Sequence, residues 1–167
     1  SEMCIRDRVS GIIDRQLFRE GTFVKQNQPL YQINTDSYTS VLAGSRASLD
    51  QSLASVNTAK ANYNNALAVL ETRQAELALA QTNLNRLKQL RGTEAISSQE
   101  YDQGATAVRT AQAAVKNAQA QVGVAQANID AAQAAARGAQ QSVNSNQLTV
   151  SRTVVKAPIS GITSRSN

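Results

Sequence analysis

The run Leu70-Glu71-Thr72-Arg73-Gln74-Ala75-Glu76-Leu77-Ala78-Leu79-Ala80-Gln81-Thr82-Asn83-Leu84 decides the architecture, because leucine returns in it at every seventh position. Followed outward, the series reads Leu42, Leu49, Val56, Tyr63, Leu70, Leu77 and Leu84. A second series runs Val108, Val115, Val122, Ile129, Ala136, Val143 and Val150. Three residues after the members of the first lie Ser45, Ser52, Ala59, Ala66, Arg73, Ala80 and Leu87, mostly small. After the second lie Ala111, Ala118, Ala125, Ala132, Ala139 and Asn146. A 3.5-residue repeat held this long is the seam of a coiled coil rather than the face of a lone amphipathic helix. Two arms of equal length predict an antiparallel hairpin. There an a position of one helix layers with a d position of the other, so large side chains meet small ones in nearly every layer. Arg73 is the exception, its stem lying along the seam while the guanidinium reaches water. Arms of about 50 residues would extend roughly 75 Å at about 1.5 Å per residue.

The spacing places the arms at about 36–91 and 98–149 of a hairpin domain spanning 35–150, with a compact tip at 92–97. Helix one stops near Arg91, with Gly92 as its left-handed C′ residue. Ser97-Ser98-Gln99-Glu100 forms a capping box opening helix two, and Ile96 and Tyr101 are placed for a hydrophobic staple. Gly44, Gly104, Gly123 and Gly138 each cost the arms up to about 1 kcal/mol relative to Ala, which makes an isolated hairpin only modestly stable.

On either side the pattern changes to short apolar runs between turn residues. Residues 9–34 read as short strands, with Gly11 and Gly21 at turns or bulges needing positive φ and Pro29 at a strand entrance. Val9-Ser10-Gly11-Ile12 is echoed by Ile159-Ser160-Gly161-Ile162, so 151–167 reads as the start of a second half-domain. Residues 1–8 fit neither pattern, resemble a translated sequencing artefact and are set apart from the fold; Cys4 lacks the preceding apolar run of a lipid-anchor cysteine.

Composition supports an extended helical protein without catalytic machinery. The 167 residues include 27 Ala and 18 Gln but 2 Pro and six aromatics. With no His, no Trp and the single Cys4, zinc sites, Cys-His pairs and Ser-His-Asp triads are excluded, no cofactor is implied, and the chain reads as a non-enzyme. The net charge of +5 is scattered without aromatic interleaving, which argues against nucleic acid. No run approaches the roughly 18 apolar residues of a membrane span.

A helical hairpin inserted between β half-domains carrying Val9-Ser10-Gly11-Ile12 and Ala157-Pro158-Ile159-Ser160-Gly161-Ile162 resembles the periplasmic adaptor, or membrane fusion, proteins of tripartite efflux pumps. The resemblance covers 9–167. It implies a mainly α fold, a long antiparallel coiled-coil hairpin inserted between two halves of a lipoyl-like β-sandwich that is incomplete here. It also implies a periplasmic protein anchored to the inner membrane by a region before this segment, assembled as a homo-oligomeric ring. Its partners would be a TolC-like outer-membrane channel and, through domains absent here, an inner-membrane transporter. Members serving resistance-nodulation-division (RND) pumps carry an Arg, a Leu four residues on and a Ser seven further, and Arg86, Leu90 and Ser97 match that spacing. The resemblance makes these three the channel-docking residues. The arms look longer than in the best-known members, by similar whole-heptad amounts.

The residues alone leave alternatives open. Leu90 falls at a g position and Arg86 at c, so both lie off the seam and suit a docking patch at the end of the hairpin. Equally, Leu90 can close the last turn, Arg86 can be a solvated charge near a helix C-terminus, and Ser97 can be an N-cap alone. Val69, Leu79 and Val124, also at g or c, suit side-by-side packing of hairpins or are scattered surface residues. Other classes remain: an adaptor of an ABC, major-facilitator or type I secretion exporter, a structural coiled coil, or a lipoyl or biotinyl carrier domain, whose exposed lysine would have to sit where the hairpin is inserted.

Overall fold

In the computed structural model the described residues are 9–93 and 96–163. The segment 1–8 with Cys4, the tip residues 94 and 95, and 164–167 lie outside them. The order is β1 (Ile13–Gln16), β2 (Phe23–Val24), β3 (Pro29–Ile33), α1 (Asp36–Arg91), α2 (Ser98–Ser151), β4 (Val154–Lys156) and β5 (Gly161–Ile162). Two compact units result, one from 1–51 with 137–167 and the other from 52–136.

The first unit is stitched from both ends of the sequence. One sheet has the order β1-β3-β4 and the other pairs β2 with β5, all antiparallel. In each sheet a strand from before the helices bonds one from after them: Tyr31 is in register with Val155 and Phe23 with Ile162. Val24, Leu30 and Ala157 form its buried cluster. Phe18 and Tyr31 pack on it edge to face, ring centres 5.2 Å apart, a geometry that aligns ring edge with π face. Ala157, 1% exposed, donates its N–H to the Gln28 carbonyl and accepts from the Asn27 N–H, both at 2.8 Å. The Ile33 N–H bonds the carbonyl of buried Thr153 at 2.8 Å.

Gly21 adopts φ +75°, the left-handed turn that glycine permits. Gly11 does not, and its expected positive φ is corrected: a Cβ there would fall on the Ile33 side chain, so its use is close approach rather than a turn. The left-handed position the sequence reading missed is Asn27, at φ 66°, a residue type that tolerates it. The Asn34 Oδ1 accepts the Asp36 N–H at 3.0 Å to open α1, and the Tyr38 hydroxyl donates to the Ser10 carbonyl. In this unit Leu42 and Val143 are buried, and Leu49, Val150, Ser45, Ala139 and Asn146 half-buried.

The second unit is a two-helix hairpin. Val56, Ala59, Val108, Val115, Ala118, Ala125, Ile129 and Ala136 are buried. Tyr63, Leu70, Leu77, Leu84, Leu87, Ala66, Ala80, Ala111 and Val122 are half-buried, while Arg73 is exposed. A Cβ built at Gly104 would meet Leu84 Cδ1 at 3.6 Å and Leu87 Cδ1 at 2.6 Å. That contact sets Leu84 opposite Gly104, and stepping by sevens in opposite directions then sets Leu77 against Ala111 and Leu70 against Ala118. Large faces small because two bulky layers would push the helices apart. Gly104 is therefore not a plain helix penalty like Gly123 and Gly138, around which there is open space; it is the smallest member of the seam, and Leu87 lies against it.

Candidate docking site at the hairpin tip

The tip is built from the end of α1 and the start of α2, each closed by side-chain bonds. At the end of α1, both the N–H and the hydroxyl of Thr93 donate to the Leu90 carbonyl, at 3.0 and 2.7 Å. This tight i+3 closure replaces the expected left-handed cap: Gly92 has no positive φ, and a Cβ on it would find only the Gln89 carbonyl at an ordinary 3.7 Å. Thr93 supplies what the αL residue would otherwise have supplied, a partner for an orphan carbonyl.

At the start of α2, Ser97 and Glu100 exchange bonds. The Ser97 Oγ accepts the Glu100 N–H at 3.2 Å, and a Glu100 carboxylate oxygen accepts the Ser97 N–H at 3.1 Å. Two of the donors that a helix start leaves unpaired are thus satisfied. Ile96 and Tyr101 are half-buried. Across the turn the Arg91 guanidinium lies 4.4 Å from the centre of the Tyr101 ring, a cation–π contact joining the two helices. The sequence reading missed this role of Arg91. Its only signal was that Arg91 and Tyr101 continue the two heptad series toward the tip.

On this frame Leu90 is 38% exposed and Arg86, also exposed, stands one turn earlier on the same face of α1. Ser97 is exposed just before α2, with its hydroxyl already engaged in the cap. Lys88 and Arg91 in the last turn of α1, and Glu100 in the first turn of α2, complement the two helix dipoles. The site thus offers an apolar side chain beside a cation near the closed end of α1, an arrangement suited to contact. Among the described residues no group of three or more His, Cys, Asp or Glu is placed to hold a metal, and no helix is long and apolar enough to cross a membrane.

The family model described as "RND MFP, alpha-helical hairpin domain" matches residues 62–131. The chain is 33% identical over 109 residues to the multidrug efflux pump subunit AcrA of Escherichia coli K12, covering 65% of this chain and 22% of AcrA. It is 39% identical over 109 residues to the membrane fusion protein MtrC of Neisseria gonorrhoeae, covering 65% of this chain and 21% of MtrC. The chain therefore spans about a fifth of the length of these relatives. The solved structure of MacA from Actinobacillus actinomycetemcomitans aligns over 93% of this chain and 40% of its own, with 27% identity and a TM-score of 0.36. The hairpin of this chain is thus similar to the hairpin domain of RND-type membrane fusion proteins over residues 62–131.

Proposed function

We propose that the protein is a periplasmic adaptor, held at the inner membrane, that links an RND-type efflux transporter to a TolC-like outer-membrane channel. The hairpin tip docks on the channel through Arg86, Leu90 and Ser97, and several copies act together as a ring. Its work is alignment and sealing, with no bond made or broken. The observation that carries this reading is that the stretch matched by the family model, 62–131, contains the whole tip, and there Leu90 and Arg86 are exposed while the end of α1 is closed by Thr93 and the start of α2 by Ser97 and Glu100. Helix ends closed in this way hold Arg86 and Leu90 on a formed helix, which lowers the entropy lost on binding.

The test is equilibrium binding of the full chain to a purified TolC-like channel. Leu90→Asp is expected to weaken binding at least tenfold, the scale of a central apolar contact. Helical circular dichroism should stay unchanged, because Leu90 lies off the seam. Unchanged affinity in that variant sinks the tip assignment.

A further inference from the structure

The seam ends at the tip in a layer unlike those behind it. Stepping by sevens from Leu84 brings Arg91 onto the seam of α1, and stepping back from Val108 brings Tyr101 onto the seam of α2. One layer back, Leu84 and Leu87 close on Gly104. Here the Arg91 guanidinium lies 4.4 Å from the centre of the half-buried Tyr101 ring. The π face attracts the cation, while Arg91 is exposed enough to keep its N–H groups in water.

That contact sets how the last turn of α1 faces α2. Leu87 is the last apolar side chain of α1 on the seam, and of the four residues after it, Lys88, Gln89, Leu90 and Arg91, only Arg91 returns there. The bonds from Thr93 to the Leu90 carbonyl close the turn from within and do not tie it to the facing helix. Successive residues of a helix are about 100° apart. With Arg91 drawn over Tyr101, Leu90 is therefore turned off the seam, and Arg86, one turn before it, lies on the same side. Both are exposed, as this phase requires. Without the contact the last turn is free to roll or fray, and Leu90 is the side chain that loses its direction.

We infer that Arg91 is a positioning residue for docking: it acts through the Tyr101 ring to hold the last turn of α1 in the phase that points Leu90 and Arg86 outward. The inference rests on the docking role of the tip. It separates Arg91 from the neighbouring cations Arg86 and Lys88, which meet no ring, because the face of its guanidinium is already spent on Tyr101.

The test is a double-mutant cycle in the full chain, read by binding to a purified TolC-like channel. Arg91→Gln and Tyr101→Leu should each weaken binding about two- to fivefold, the scale of an exposed cation–π contact. The double variant should lose no more than either single one, because the two residues act as one contact. Arg91→Lys and Tyr101→Phe, which keep a cation and a ring, should bind within about twofold of the parent. Without the channel, exchange of the Thr93 N–H, followed by NMR, should speed up by about the same factor in Arg91→Gln and Tyr101→Leu alike. If Arg91→Gln weakens binding and Tyr101→Leu does not, Arg91 touches the partner itself and the positioning role is overturned. Losses that multiply in the double variant overturn it too, since the residues then act independently. If neither variant weakens binding while Leu90→Asp does, the positioning role falls and the tip assignment stands. If Leu90→Asp binds like the parent, the docking role fails and the positioning role with it.

Discussion

Gly104 and Gly123 lie in one helix and should respond oppositely to the same substitution. At Gly123 nothing stands within 4 Å of an added Cβ, so Gly123→Ala should raise stability by up to about 1 kcal/mol through helix propensity. At Gly104 the new methyl meets Leu87 Cδ1 at 2.6 Å, and the leucine must give way, so Gly104→Ala should bring no gain or a loss of about 1 kcal/mol. Urea unfolding of the pair reads the difference; equal gains would show that the close approach is absent. Ser97 allows a similar separation of roles. Ser97→Ala removes the cap and should cost about 1 kcal/mol, while Ser97→Asp keeps a capping oxygen and should not. If both lower channel binding alike with stability unchanged in the second, Ser97 acts in docking beyond its cap. Gly92→Ala should change stability by no more than about 0.5 kcal/mol, because the helix end is closed by Thr93 and not by a left-handed glycine. A loss of 1 kcal/mol or more would restore the left-handed cap.

Among the elements, the two helices owe their pairing to a seam whose d positions on the α2 side are largely alanine. Ile129 is 7% exposed, and the seven-residue register sets it against buried Ala59. Ile129→Asp buries a charge with no partner and should cost about 3 kcal/mol or more, seen as lost helical circular dichroism; full helicity at room temperature would contradict the seam. This seam is legible in the sequence because its repeat differs from 3.6 and so demands a partner helix, and because the start of α2 carries its own signal in the spacing of Ser97 and Glu100. Gly104, the closure by Thr93 and the stacking of Arg91 on Tyr101 are not legible in the same way. Each depends on what another turn or the facing helix brings opposite, and a pattern counted along one helix carries no such information. Gly11 and Gly92 show the same limit from the other side: glycine permits positive φ without requiring it, so only the backbone of the fold decides.

At the scale of the whole molecule, the chain divides into a unit where both ends of the sequence share two sheets and a unit that is hairpin alone. Ala157, 1% exposed, sits where β4 leaves the core and bonds Gln28 and Asn27. Ala157→Glu should break the pairing of the early and late strands, abolish the near-ultraviolet signal of the Phe18–Tyr31 pair and leave hydrogen-exchange protection in 52–136 in place. Protection lost in both units together would mean that they unfold as one. Sheets that draw strands from both ends explain why short strand signals some 120 residues apart in the sequence belong together: neither end has enough apolar surface to fold by itself. The central claim is that the tip meets an outer-membrane channel, and photocrosslinking tests it most directly. A benzoylphenylalanine placed at Leu90, and for comparison at exposed Ala61 on the outer face of α1, is irradiated in the full chain with a TolC-like channel present. The account predicts a channel adduct from position 90 and none from position 61; adducts from both alike, or from position 61 only, would contradict it.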